Sequence, residues 1–126
     1  MQDYRKLRVW RSSMALAREC YTATESFPRS ELFGLTSQVR RSAVSIPSNI
    51  AEGCGRGSRR EFVRFLRIAY GSACELGTQL ELSNEIGHGQ SHRLAQLLKD
   101  AEEVRRMLAS LIQRVELGSI RVPTVN

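Results

Sequence analysis

In the second half of the chain, apolar residues recur three and four positions apart over long stretches, the spacing that places side chains on one face of a helix. Phe62, Leu66, Ala69, Ala73, Leu76, Leu80 and Ser83 form one such series, and Leu94, Leu97, Ala101, Val104, Leu108, Leu111 and Val115 form another. The first half repeats the rhythm with Leu7, Trp10, Met14, Ala17, Tyr21 and Thr24, and then with Leu32, Leu35, Val39, Ala43, Ile46 and Ile50. Four amphipathic helices are predicted.

Breakers set their limits. Phe27-Pro28 ends the first helix, because a residue before proline is pushed out of the helical region. The second runs from about Glu31 to Ala51 with Pro47 inside it, where the missing N–H leaves the Ala43 carbonyl without its donor. The expectation is a kink near Pro47, unless the helix stops at Ser45 and restarts under Ser48 or Asn49. Ser58-Arg59-Arg60-Glu61 reads as a capping box that opens the third helix, with the Ser58 hydroxyl on the Glu61 amide and the Glu61 carboxylate on the Ser58 amide. That helix should reach about Ile86 and stop at Gly87, and the fourth should end near Gly118. The connections, roughly Phe27–Ser30, Gly53–Gly57 and Gly87–Gln90, are short enough to join antiparallel neighbours. The fold class is therefore all-α, an up-down-up-down antiparallel four-helix bundle. Residues 1–118 make a single domain, and 119–126 make a loose C-terminal tail.

Composition agrees with that reading. The chain has 126 residues, 41% hydrophobic and 25% charged, as in an ordinary folded domain. Apolar runs fall short of the ~20 residues needed to span a bilayer, and "MQDYRKLRVW" lacks a signal-peptide core. A cytoplasmic protein with no membrane partner is expected. Cys20, Cys54 and Cys74 are widely spaced and form no C-x-x-C pair, so they read as small buried side chains.

Charge changes the picture more. Nineteen Lys/Arg against thirteen Asp/Glu give a net charge of +6, and residues 1–70 hold thirteen of the basic groups against six acids. Such an excess favours a polyanionic partner, nucleic acid above all. In the third helix Arg60, Arg64 and Arg67 point away from the apolar stripe, with no acid expected on their face to neutralise them. Arg56 and Arg59 extend the cluster, and the planar guanidinium suits phosphate. Arg40 and Arg41, with Arg5, Lys6, Arg8 and Arg11 near the N-terminus, form a second candidate group. The same helix is apolar on its flanks as well, through Val63, Tyr70 and Cys74 on one side and Phe65 and Ile68 on the other. These five are the expected oligomer interface.

Other chemistry finds little support. In Gly53-Cys54-Gly55-Arg56-Gly57 the third glycine comes a residue too early for a dinucleotide fingerprint, and no lysine follows as a phosphate loop requires. His88 and His92, with Glu85, have helical ligand spacing but straddle "GHGQS", where no helix is expected, so no metal is assigned. The cysteines lack an adjacent histidine. Ser45, Ser48 and Ser58 read as capping residues, and Glu52 as a structural partner of Arg56 or of a neighbouring arginine. Catalytic residues and cofactors are expected to be absent.

The segments "YRKLRVW", "ELFGLTSQVRRSAVSIPSNIAEG" and "SRREFVRFLRIAYGSACELGTQLELS" resemble the small bacterial four-helix-bundle proteins encoded within intervening sequences of 23S ribosomal RNA genes. The likeness spans Tyr4 to Gly87, with Gly34 to Gly53 its most specific part. That family is similar in fold to the accessory variability protein of diversity-generating retroelements, a basic barrel-shaped homopentamer that binds nucleic acid and a reverse transcriptase. The resemblance implies an α-helical bundle, a pentamer and no established catalysis. It assigns no site residues. The reading is a non-enzymatic oligomer that contacts RNA or DNA phosphates through arginines with little sequence selectivity. The alternative is a structural adaptor whose arginines meet an acidic protein such as a reverse transcriptase.

Overall fold

In the computed structural model, residues 3–118 are described. The predicted loose tail, 119–126, lies outside them. Four helices follow one another: α1 (Arg8–Thr24), α2 (Leu35–Gly55), α3 (Arg59–Glu85) and α4 (Ser91–Glu116), with 3-10 turns at Tyr4–Lys6 and Arg29–Glu31. Each helix packs on the two beside it, α1 on α2 and α4, and α3 on α2 and α4. With connections this short the helices alternate in direction, giving the antiparallel bundle that the pattern predicts.

In α3 and α4 every residue of the predicted stripes is buried. The core of α2 comprises Leu35, Val39, Ala43, Ile46, Ile50 and Cys54. Leu32 was expected there but is 49% exposed, because the chain makes a 3-10 turn at Arg29–Glu31 and α2 begins only after Gly34. Glu31 serves that helix start from four residues away, its Oε1 accepting from the Leu35 amide at 3.1 Å. The helix does not stop at Ser45. It runs unbroken through Pro47 to Gly55, and Asn49 Nδ2 donates to the Ser45 carbonyl at 2.8 Å.

α1 departs from its predicted face. The buried set is Val9, Ser13, Leu16, Ala17, Cys20, Ala23 and Thr24, roughly a quarter turn from the expected one. The buried hydroxyls are satisfied within the helix, Ser13 Oγ donating to the Trp10 carbonyl and Thr24 Oγ1 to the Cys20 carbonyl, both at 2.8 Å. Trp10, Met14 and Tyr21 are thereby turned toward the α1–α2 seam. With Val44, Pro47 and Ala51 they line an open groove of about 640 Å³.

Candidate nucleic-acid interface

The glycine-rich segment is mostly helix. α2 continues through Gly53-Cys54-Gly55, and only Arg56 to Ser58 make the reversal, with Gly57 at φ 82°. That backbone favours glycine because a Cβ would crowd the chain. Ser58 then caps α3, its Oγ accepting from the Glu61 amide at 3.2 Å. The reciprocal half of the expected capping box is replaced by an ion pair, for the Glu61 carboxylate lies 3.5 Å from an Arg64 guanidinium nitrogen.

The arginines launched by this turn are not all unpaired. Besides Arg64 with Glu61, Arg56 Nε lies 3.6 Å from Glu52, the pairing foreseen for that acid. Arg67 NH2 donates to both carboxylate oxygens of Glu116 on α4, at 3.0 and 2.9 Å. The sequence pattern hid the last contact, because the acid arrives from another helix. These pairs stay exposed, so each stabilises the fold by at most about 1 kcal/mol and can be exchanged for a phosphate contact. Arg59 and Arg60 have no ion-pair partner among the described residues. Arg59 reaches toward the end of α4, where a Cβ built on Gly118 would lie 3.6 Å from its NH2. A helix C-terminus favours a cation there. Arg56 and Arg64 also share Phe65, each guanidinium carbon 4.9 Å from the ring centroid.

The second group divides. Arg40 is engaged structurally: its Nε donates to Thr24 Oγ1 at 2.9 Å, its NH2 to the Tyr21 carbonyl at 3.4 Å, and its head lies over the Tyr21 ring. Arg41 is exposed beside a polar cleft whose wall holds the Ser42 to Glu75 hydrogen bond, 2.9 Å. Near the N-terminus, Arg5 pairs with Asp3 at 3.4 Å and Arg11 donates to the Arg5 carbonyl at 3.0 Å. Lys6 and Arg8 are exposed without an ion-pair partner among the described residues.

The bundle sorts these charges along its axis. One half is built from the start of α1, the end of α2, the start of α3 and the end of α4, segments 3–16, 45–72 and 104–118. It carries twelve Lys/Arg against four Asp/Glu. The opposite half, 17–44 and 73–103, carries six against nine. The up-and-down topology makes this pole from segments far apart in sequence, so counting charge by sequence halves could reveal only part of it.

Of the expected interface residues on α3, Phe65 is buried within the chain and Val63 and Tyr70 pack against its core, with Arg105 donating to the Tyr70 hydroxyl at 3.3 Å. Ile68 and Cys74 remain exposed. Burial accounts for the other two thiols: it pushes Cys20 up to about 12 and Cys54 up to about 11, with carboxylates adding to each, so neither is a nucleophile at neutral pH. No group of three His, Cys, Asp or Glu among the described residues is placed to hold a metal. His88 instead meets Glu31, at 2.8 Å. No helix among those residues is long and apolar enough to cross a membrane.

Residues 5–110 match the family described as 23S rRNA-intervening sequence protein. A crystal structure from Bacteroides thetaiotaomicron VPI-5482, described as a protein with unknown function from the S23 ribosomal protein family, superposes with a TM-score of 0.75. It is 27% identical in sequence, and the match covers 83% of this chain and 98% of that one. No curated protein matches the chain. Matched over most of its length and in its bundle, the chain belongs to the 23S rRNA-intervening sequence protein family.

Proposed function

We propose that the protein is a non-enzymatic binder of nucleic-acid backbones, engaging RNA or DNA phosphates through its basic half with little sequence selectivity. The observation that carries this reading is the axial charge asymmetry, twelve cations against four acids at one pole and six against nine at the other. A pole of this kind raises the local concentration of a polyanion and orients its approach. Arg59 and Arg60 supply guanidiniums without ion-pair partners, and the exposed pairs of Arg56, Arg64 and Arg67 can open at small cost.

Self-association belongs to the same reading. A homo-oligomer, the pentamer that the family resemblance implies, gathers several basic poles into one surface. The apolar surface available for a second copy includes Ile68 and Cys74 on α3 and the α1–α2 groove beside Trp10, Tyr21 and Val44. Light scattering on the purified chain tests it, and a monomer at all concentrations removes this element.

The deciding experiment measures affinity for single- and double-stranded RNA and DNA across a salt series. Binding that falls steeply with salt supports the proposal. Binding insensitive to salt, or absent at low salt, overturns it. The adaptor alternative requires an acidic protein to be retained by the same arginines while free nucleic acid is ignored.

A further inference from the structure

α1 and α4 share the least extensive of the bundle's four helix seams. At the basic pole that seam opens into a groove of about 410 Å³, separate from the arginine row on α3. Its apolar wall is Leu7 and Val9 beside Met107 and Leu111, and its cations are Arg8 from α1 with Arg106 and Arg114 from α4. Arg8 is exposed with no ion-pair partner among the described residues. Among the described residues Arg106 makes a long, exposed contact to Glu102, 3.8 Å, and Arg114 Nε donates to the Ser110 carbonyl at 3.4 Å.

The groove is polarised lengthwise. Arg114 and Ser110 stand toward the end of α4, Arg106 and Met107 come next, and the groove's one acid, Glu103, lies a turn further toward the middle of the bundle. A volume of this size beside an apolar wall accommodates a planar base, and the cations accommodate the phosphate attached to it. Glu103 repels phosphate from the inner end and can accept from an N–H on a base edge. A duplex cannot use such a site, because its bases are stacked and paired within the helix.

We propose that this groove seats one unstacked nucleotide of a single strand, its phosphate on Arg8, Arg106 and Arg114 and its base along Leu7 and Met107. The proposal rests on the nucleic-acid reading above and adds a preference for single strands. Base contact on an aliphatic wall is weaker than stacking on an aromatic ring and should give about a fivefold to tenfold preference.

The test uses the full chain and a ten-nucleotide RNA, as single strand and as duplex, at one fixed salt concentration. Arg8→Ser with Met107→Ser should bring the ratio of single-strand to duplex affinity from about five or more to about one. Arg60→Ser with Arg64→Ser should weaken both ligands and leave the ratio in place. In parallel, a single strand carrying 4-thiouridine should photo-crosslink to Leu7, Met107 or their immediate neighbours. A ratio near one in the unaltered protein, a ratio untouched by the groove variant, or crosslinks confined to α3 would overturn the groove while salt-sensitive binding at the pole still stood. Absence of all binding at low salt would sink both.

Discussion

Glu31 Oε2 lies 2.8 Å from His88 Nε2, tying the α1–α2 connection to the α3–α4 connection at the acidic end of the bundle. The other oxygen of the same carboxylate caps α2 through the Leu35 amide. That backbone hydrogen bond first, and the His88 contact second, hold the Glu31 carboxyl below the usual carboxylate range. A carboxyl lowered by folding stabilises the fold above its ordinary pKa and loses that contribution as pH falls through the lowered one. Glu31→Gln keeps an acceptor for Leu35 but removes the charge. It should lower Tm at neutral pH, with the gap to the parent closing as pH falls through and below the ordinary carboxylate range. Thermal melts across that range check it, and a constant gap would show that the charge plays no part.

Gly53 is fixed by close approach of α2 to α3. A Cβ there would stand 3.0 Å from Phe65 Cβ and 3.3 Å from the Phe62 carbonyl oxygen, atoms that cannot swing aside. Gly53→Ala should therefore destabilise by about 1–2 kcal/mol, outweighing the ~0.5–1 kcal/mol that alanine brings to a helix interior. Gly71→Ala, where a Cβ meets nothing within 4 Å, should instead stabilise by that ~0.5–1 kcal/mol. Denaturant midpoints of the two variants should move in opposite directions.

The contrast between helices explains what the sequence could disclose. In α3 and α4 the spacing picked out residues that are all buried, and it missed Phe65 and Ile112, which lie beside those stripes. α1 carries two competing stripes, and the larger residues, Trp10, Met14 and Tyr21, lie on the flank rather than in the core. Its buried side includes Ser13 and Thr24, whose polarity is hidden by hydrogen bonds to their own helix. The arginines at the α2–α3 turn were legible as a cluster. Of their partners, Glu52 and Glu61 lie within four residues of Arg56 and Arg64, whereas Glu116 reaches Arg67 from 49 positions away, which spacing along one helix does not show. The axial pole needed the topology as well as the composition.

Arg40 illustrates a cation whose role only the packing assigns. Its guanidinium ties α2 to the C-terminal turn of α1 through Thr24 Oγ1 and the Tyr21 carbonyl, while covering the Tyr21 ring at 4.7 Å. Arg40→Ala should cost about 1–2 kcal/mol of stability. Arg40→Lys should restore little of it, because an ammonium cannot reproduce the planar fork. Chemical denaturation measures the loss, and full recovery by lysine would reduce Arg40 to a simple charge.

The thiols offer an inexpensive check of the packing. Cys20 and Cys54 are 0% and 2% exposed and shifted up by burial, whereas Cys74 is exposed on α3. Iodoacetamide at pH about 7.5 should modify neither Cys20 nor Cys54 in the folded protein, and should modify all three thiols after unfolding. Mass spectrometry of the alkylated chain reads the result. Rapid labelling of Cys20 would contradict the α1 orientation described above.

The axial pole itself can be separated from net charge. Arg59→Ser, Arg60→Ser and Arg64→Ser together remove three cations from the basic half, and Arg18→Ser, Arg29→Ser and Lys99→Ser remove three from the other half. All six side chains are exposed, so both triple variants should fold, which circular dichroism verifies. If phosphates meet the pole, the first triple should weaken duplex binding and flatten the dependence of log K on log salt by about 0.9 for each phosphate contact removed. The second should leave that slope close to the parent value, because its charges stand away from the bound strand and act only through a screened field. Equal losses in the two variants would mean that total charge governs the interaction and that the bundle's sorting of charge is incidental to it.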